Sequence, residues 1–291
     1  MIDNIYISGF ADEISSDFAE QLATVQRLGM RYISLRAADG RGIADYTPDE
    51  VTALLLPRLR AAGIGVSSLG SPIGKIDVED EDAFATQCAQ LETLCQSARL
   101  LDCRYIRMFS FYIPAGRDPG DFRAVVLNKL KRFAGIAEKH GIILLHENEK
   151  EIYGDTGARC RDILDAVGSG HFKAAFDFAN FVQCGEDPAA CWELLHHQVA
   201  YIHIKDAVYA GNENVLCGTG DGKIEPILKK AIREEGYTGF LTLEPHLVLF
   251  DSLQSLETAD ADDIIKKNKY KTGAEGYEAQ YRALLAILDR I

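Results

Sequence analysis

Eight short runs rich in β-branched and aromatic residues alternate with amphipathic segments along almost the whole 291-residue chain. The runs cover residues 5–10, 31–36, 64–70, 104–110, 142–147, 172–177, 200–205 and 239–244. In the segments between them, apolar residues recur every three or four positions, as in a helix packed on a sheet. Such alternation is typical of parallel sheets built from βα units. Eight units predict an α/β fold of the (β/α)₈ TIM barrel type, because open doubly wound sheets usually contain fewer strands.

Glycines mark the ends of several predicted helices. Four of them shortly precede the next strand: Gly29, Gly63, Gly141 and Gly236. Glycine readily adopts the left-handed conformation that ends a helix. Because no Pro/Gly/Ser-rich linker or block of charge divides the chain, we expect a single domain over residues 1–291. Segment 247–275 interrupts the alternation after the eighth strand, and an excursion there would lie near the barrel mouth.

Composition excludes several classes of protein. Hydrophobic residues make up 47% of the chain, yet no apolar run approaches the length of about 18 residues needed to cross a membrane. The N-terminus has Asp3 and lacks the features of a signal peptide, so we expect a cytoplasmic protein without a membrane partner. The seven cysteines never occur as CxxC, which favours reduced thiols. A net charge of -13 disfavours a nucleic-acid partner, because that affinity depends on neutralising phosphates.

Four consecutive predicted strands end in side chains that commonly bind metal ions. These side chains are Glu147, Asp177, His203 and Glu244, separated along the chain by 30, 26 and 41 residues. Each alone is explained well by a helix cap, a loop ion pair or a buried histidine. In a barrel, however, the carboxyl ends of the strands meet at one mouth, where active sites form. We therefore expect the four side chains to converge.

Three carboxylates and an imidazole at one point would repel one another unless a cation lay among them. The sequence thus predicts one divalent metal ion held by Glu147, Asp177, His203 and Glu244. Oxygen ligands with one nitrogen suit Mn²⁺ best, with Mg²⁺, Co²⁺ or Zn²⁺ as alternatives. Because the set contains no thiolate, we do not expect a closed structural zinc site.

The segments HENEKEIYGD, FDFANFVQCGEDP, YIHIKDA and LTLEPH together resemble the sugar isomerase and epimerase family with a xylose isomerase-like TIM barrel. The resemblance extends from GFADEI near the N-terminus to the last strand. It places the family's metal quartet on Glu147, Asp177, His203 and Glu244, and its catalytic acid and base pair on Glu147 and Glu244. It also implies a small carbohydrate substrate, and it allows a homo-oligomer, because such barrels often form dimers or tetramers.

These implied roles agree with known chemistry. A divalent ion that chelates a hydroxy ketone acidifies the adjacent C–H and stabilises the enediolate. One glutamate then removes a proton and the other returns one to the opposite face. The sequence also departs from the family, because Asn180 stands where many ketose epimerases have histidine, and Ser34 stands where relatives often have glutamate.

Further residues near the strand ends are candidates for substrate binding. The candidates are Arg107, Asn180, Lys205, Asp206, Lys75 and Phe109, with Phe111 and Tyr112 as additional aromatic residues beside the mouth. Aromatic faces stack on sugar rings, and arginine can bind a carboxylate or phosphate through two hydrogen bonds. Arg107, Lys75 and Lys205 can equally form ordinary salt bridges. Glu149 and Lys150 follow Glu147 in the chain, and we expect them to tune its properties as a ligand without binding the metal ion themselves.

The loop CGTGDGKIEP after the seventh strand contains Gly218, Gly220 and Gly222. In barrels, backbone N–H groups in this region can bind phosphate, but three glycines in a loop are a weak signal, and a tight connection explains them better. Asp221 would disfavour an anion there. The sequence therefore leaves open whether a substrate is phosphorylated.

The leading functional hypothesis is a metal-dependent sugar isomerase or epimerase. The alternative keeps the enediolate but expels a substituent, as in a lyase, a dehydratase or a C-glycoside-cleaving enzyme. A DNA-repair enzyme of the endonuclease IV type would need more histidine ligands than the chain offers among its seven histidines. A non-catalytic sugar-binding protein is the remaining alternative.

Overall fold

The structure is a computed structural model that describes residues 2–250 and 269–291. Eight parallel strands form one sheet that curves into a nearly closed barrel. They are β1 Ile5–Gly9, β2 Tyr32–Leu35, β3 Gly65–Gly70, β4 Tyr105–Met108, β5 Ile143–Glu147, β6 Phe172–Asp177, β7 Val199–Ile204 and β8 Gly239–Leu243. Neighbours follow the order β1-β8-β7-β6-β5-β4-β3-β2, and a parallel bridge between Phe10 and Ser34 joins β1 to β2. This arrangement confirms the predicted TIM barrel.

Helices connect the strands and cover the outside of the barrel. They are α1 Phe18–Arg27, α2 Pro48–Glu50, α3 Leu56–Ala62, α4 Glu81–Leu100, α5 Arg123–His140, α6 Gly157–Val167, α7 Phe178–Gln183, α8 Pro188–Leu195, α9 Ile224–Lys229 and α10 Gly273–Leu288. Short 3₁₀ turns occur at Ala11–Glu13, Ile43–Asp45, Pro119–Phe122 and His196–Gln198, and π-helical turns at Val51–Leu55 and Lys230–Glu234. Two antiparallel ribbons pair Ala37–Ala38 with Arg41–Gly42 and Asp206–Ala207 with Asn214–Val215. In the described ranges, no helix is long and apolar enough to span a bilayer.

The helix ends follow the local sequence. The predicted glycines Gly29, Gly63, Gly141 and Gly236 all have positive φ, between 67° and 75°. Helix α10 begins at Gly273, where the side chain of Thr272 accepts a hydrogen bond from the Glu275 N–H at 3.2 Å. A threonine in this position satisfies one of the free N–H groups of the first turn.

A network of hydroxyl groups fills the interior of the barrel below the mouth. Tyr201 on β7 contacts Ser67 and Ser68 on β3 at 2.8 and 3.0 Å. Ser8 on β1 contacts Thr242 on β8 at 2.6 Å. Because each hydroxyl of this network has a partner, the polar interior is stable and links strands on different sides of the barrel. These hydroxyl groups lie directly beneath the side chains at the mouth.

The chain after β8 returns to the N-terminal turn. Leu247 is buried and its carbonyl accepts a hydrogen bond from the Lys269 N–H at 3.0 Å. A Cβ on Gly273 would lie 2.2 Å from the carbonyl oxygen of Glu13, so α10 packs closely on the Ala11–Glu13 turn. The predicted excursion over 247–275 falls partly on residues 251–268, which lie outside the described residues. Both that excursion and the single domain over 1–291 stay predictions.

Candidate metal centre

Four buried side chains meet at the carboxyl ends of the last four strands. Glu147, Asp177 and His203 belong to β5, β6 and β7, and Glu244 follows β8. Each offers one ligand atom, and these atoms all lie within 4.8 Å of one another. Nδ1 of His203 is central, at 2.7 Å from Glu147 Oε1, 3.1 Å from Glu244 Oε2 and 3.9 Å from Asp177 Oδ2. All four side chains are at least nine-tenths buried. We call these residues the metal quartet.

One oxygen of each carboxylate in the metal quartet lacks a hydrogen bond within the described residues. Glu147 Oε2, Asp177 Oδ2 and Glu244 Oε2 are buried and accept no hydrogen bond within the described part of the chain. Leaving buried carboxylate oxygens without partners is costly. Three oxygens and one imidazole nitrogen form a donor set that suits a divalent ion such as Mn²⁺. The residues present therefore match the predicted metal ion.

Mutual electrostatics shift the pKa values of the quartet. Burial raises the pKa of Asp177 to about 7, although Lys205 opposes the shift. Burial alone would lower the pKa of His203, but the nearby carboxylate of Glu147 raises it to about 9. Burial opposes ionisation of Glu147 and Glu244 too, yet neighbouring cations keep both pKa values below the usual range. Without a metal ion, a proton on His203 therefore balances part of the negative charge.

We expect Mn²⁺ binding to weaken as the pH falls. His203 carries a proton below pH 9, and a metal ion must displace it, so affinity should fall by at least about tenfold per pH unit between about pH 8 and pH 6. Protonation of Asp177 near pH 7 adds to the loss at the acidic end. Calorimetry in buffers of different ionisation enthalpy counts the released protons. His197→Gln, a substitution outside the quartet, should keep the same slope. An affinity independent of pH would contradict the expectation.

Asn148, which no pattern in the sequence singles out, holds β5 and β6 in register at the mouth. Its Nδ2 donates to the carbonyl of Asp177 at 3.0 Å, and its Oδ1 accepts the Asp177 N–H at 3.0 Å. Asp177 Oδ1 also accepts the N–H of Asn180 at 2.8 Å, which caps α7. One carboxylate oxygen of Asp177 is thus fixed by the backbone, and the other, Oδ2, faces the quartet.

Two of the predicted substrate-binding residues contact the metal quartet, and two more lie beside them. Arg107 Nη1 lies 3.4 Å from Glu147 Oε2, and Lys205 Nζ lies 3.3 Å from Asp177 Oδ2. Two cations contact the face of the Phe109 ring. The ring centroid lies 4.6 Å from Cζ of Arg107 and 4.5 Å from Nζ of Lys75. Lys75 also pairs with Glu149 at 3.5 Å. This side of the mouth is therefore cationic and has an aromatic face.

The side chains of Asn180 and Asp206 contact backbone groups instead. Asn180 Nδ2 donates to the carbonyl of Asn148 at 2.8 Å. The two oxygens of Asp206 accept N–H groups from Ala207, Gly218, Gly220 and Gly222 at 2.8 to 3.0 Å. Direct binding of substrate by Asn180 or Asp206 stays a prediction, and the structure assigns both side chains to holding loops.

These contacts also account for the glycine loop that follows the seventh strand. The N–H groups that could have bound a phosphate surround the carboxylate of Asp206. A Cβ on Gly220 or Gly222 would lie 2.4 or 2.7 Å from Asp206 Oδ1, so this close approach requires glycine. The tight connection, one of the two interpretations left open by the sequence, describes the loop.

Phe111 does not lie at the mouth, so the expectation for this residue was wrong. It packs against Phe84 and Phe133 with ring centroids 6.0 and 5.7 Å away, in the layer between the sheet and the helices. Its φ of 67° interrupts the alternation of side chains that continues along a regular strand. Phe109, two residues earlier, instead contacts Arg107 and Lys75, and its role in substrate binding stays a prediction.

A second group of functional candidates was missed from the sequence. Arg36 follows β2, Asp12 and Glu13 lie in the turn after β1, and His246 follows Glu244 by two residues. The rule that identified the quartet, polar residues at strand ends, would have found Arg36 if it had been applied to the first strands. Nothing in the local sequence indicates that Arg36 reaches Glu244.

Comparison with known proteins identifies the fold family. A family model described as xylose isomerase-like TIM barrel matches residues 22–264. Among solved structures, an L-ribulose 3-epimerase superposes with a TM-score of 0.75 at 20% identity, covering 100% of this chain and 95% of that one. The IOLI protein with a binding zinc atom gives 0.76 at 13%, covering 98% of both chains. The probable 3-DHS dehydratase AsbF from Bacillus anthracis gives 0.70 at 14%, covering 96% and 98%. No curated protein matches.

Proposed function

Because the chain belongs to the xylose isomerase-like TIM barrel family, we propose that it is a divalent-metal-dependent sugar isomerase or epimerase. The proposed substrate is a ketose or a related polyol derivative. The observation that carries the proposal is the buried metal quartet, in which one oxygen of each carboxylate accepts no hydrogen bond within the described residues. The structural similarity to an L-ribulose 3-epimerase supports the same class of reaction.

Glu147, Asp177, His203 and Glu244 would together hold one ion, with Mn²⁺ as the first choice. A solved relative, the IOLI protein, contains zinc, so Zn²⁺ is the principal alternative. When bound, the ion would polarise the oxygens of a hydroxy ketone and acidify the C–H between them. The remaining chemistry belongs to the side chains around it.

Glu147 and Glu244 are suited to move the proton. They flank the imidazole of His203, and they come from strands that are separated in the sheet by β6 and β7. One carboxylate removes a proton from the substrate carbon and the other returns one to the opposite face, which inverts that carbon. Arg107 and Lys205, each paired at 3.3 to 3.4 Å with a quartet carboxylate, would stabilise the negative charge of the enediolate. Lys75 and Phe109 would orient the rest of the sugar.

A lyase or dehydratase is the second candidate, and two observations favour it. The probable dehydratase AsbF shares the fold. Asn180 is a neutral amide whose Nδ2 is bound to the Asn148 carbonyl, so it cannot exchange a proton with substrate. In this reaction, the enediolate expels a substituent from the neighbouring carbon. Isomerisation conserves the mass of the substrate and elimination does not, so mass spectrometry of the product distinguishes the two reactions.

The proposal is tested by incubating the Mn²⁺-loaded protein in D₂O with ketoses, ketose phosphates and inososes. We expect metal-dependent incorporation of deuterium into at least one compound. Proton NMR detects it as the loss of a C–H signal. Chelated protein and Glu147→Gln serve as the two blanks. If no compound in the panel exchanges a proton in a metal-dependent way, the proposed function is wrong.

A further inference from the structure

A second group of potential metal ligands shares Glu244 with the metal quartet. Ligand atoms of Glu13, Glu244 and His246 lie within 4.8 Å of one another, and all three residues are buried. His246 Nε2 is 3.4 Å from Glu13 Oε1 and 3.5 Å from Glu244 Oε1. By spacing alone, this group could hold a second divalent ion, with Glu244 as the bridge.

A guanidinium already occupies this position. Arg36 Nη1 lies 3.1 Å from Glu244 Oε1, and Nη2 lies 3.4 Å from Glu13 Oε1. Arg36 Nε donates to Asp12 Oδ2 at 2.8 Å. The cation therefore contacts three carboxylates from two different segments, the turn after β1 and the end of β8. The two oxygens of Glu244 have different cationic neighbours: Oε1 contacts Arg36, and Oε2 faces His203.

Packing fixes Arg36 in this place. Only 4% of its side chain is exposed. The guanidinium lies 4.4 Å from the ring of Phe10 and 5.1 Å from the ring of Phe250. A Cβ on Gly70 would approach the Arg36 Cβ to 3.0 Å and the Phe10 ring to 2.6 Å, so the glycine at the end of β3 leaves the room that both side chains use.

We propose that Arg36 is a built-in second cation that positions Glu244 and restricts the site to one metal ion. By binding Oε1, it leaves Oε2 as the single oxygen that Glu244 offers to the metal quartet. The proposal rests on the proposed metal centre, and it goes beyond it by assigning a role to Arg36, Asp12, Glu13 and His246. Arg36 acts through Glu244, so it is a positioning residue.

The physical reason is charge balance in a buried site. An arginine stays protonated throughout the physiological pH range, so its charge cannot be removed by titration. A divalent ion beside it would be repelled, because the low dielectric constant of the interior strengthens the interaction between like charges. Without the guanidinium, the carboxylates of Asp12, Glu13 and Glu244 would lose the cation that all three share. Together with His246, they would then attract a second ion.

The test measures Mn²⁺ stoichiometry in the full-length protein without substrate. Free Mn²⁺ is followed by electron paramagnetic resonance from about 10 µM to about 2 mM total ion, near pH 8. Wild type and Arg36→Lys should bind one ion per chain, because each retains a cation. Arg36→Gln should bind two, and Arg36→Gln combined with Glu13→Gln should return to one. Arg27→Gln, which removes an exposed arginine paired with Glu278, is the matched control and should bind one.

Two outcomes would overturn the proposal: wild type that binds two ions, or folded Arg36→Gln that binds one ion with wild-type affinity. If Arg36→Gln does not fold, Arg36→Lys provides the decisive measurement. Its shorter ammonium group cannot contact all three carboxylates, so kcat should fall at least about tenfold while KM changes little. An unchanged kcat would contradict the positioning role. The count of bound ions needs no substrate, so failure of the proposed sugar reaction would not affect that measurement.

Discussion

Glu147→Gln is expected to lower kcat by about 10² to 10⁴-fold at saturating Mn²⁺, and Glu244→Gln should do the same. The amide keeps the size of the side chain and still offers one oxygen, but it cannot accept a proton from carbon. Binding of the sugar should persist. The measurement is turnover, or deuterium exchange, with Mn²⁺ raised until the rate no longer increases, because the neutral ligand weakens metal binding.

The double substitution of Glu147→Gln with Glu244→Gln shows whether the two glutamates act together or independently. If both glutamates take part in one proton-transfer sequence, replacing the second after the first should lower kcat only a little further. Such non-additivity is usual for groups that act together. Glu138→Gln, at an exposed position of α5, is the matched control and should retain wild-type kcat. A Glu147→Gln enzyme that keeps more than about a tenth of the wild-type kcat would exclude Glu147 as the acid or base.

Removing the metal ion should produce a large loss of thermal stability. With free Mn²⁺ at about 1,000 times its dissociation constant, binding to the folded state alone contributes about 4 kcal/mol. For a chain of this size, that corresponds to a change in Tm of about 8 °C, measured by calorimetry with and without a chelator. The physical reason is that the ion neutralises three buried carboxylates, each of which has one oxygen without a hydrogen bond among the described residues.

Asp177→Asn should abolish most of the difference in Tm between the Mn²⁺-loaded and the chelated protein. The asparagine oxygen can still accept the Asn180 N–H and cap α7, so the substitution removes the charge at Oδ2 and preserves the local structure. Asp187→Asn is the matched control, because Asp187 caps α8 in the same way but lies outside the quartet. Its metal-dependent shift in Tm should equal that of wild type. An Asp177→Asn protein with the full shift would show that Asp177 does not hold the ion.

Much of this architecture could be read from local patterns. Strand periodicity and helix-ending glycines depend on near neighbours in the chain, so the eight strands were predicted to within about two residues. The quartet was found because parallel strands in a barrel place their carboxyl ends at one mouth. That rule specifies which strand end a residue occupies, but it does not give the direction of a side chain once the strand has ended. Phe111 shows this limit, because its positive φ turns the ring into the helical layer.

The sequence by itself therefore determined the barrel, the order of its units and the four residues that carry ligand atoms to the mouth. Tertiary structure alone decided how the surrounding charges pair. Arg36 reaches Glu244 across 208 positions of the chain, and Asp206 turns its carboxylate into a ring of glycine N–H groups instead of towards a substrate. The reason is that burial makes each charged group dependent on partners within about 4 Å, and such distances are fixed by packing between strands and loops that no local pattern encodes.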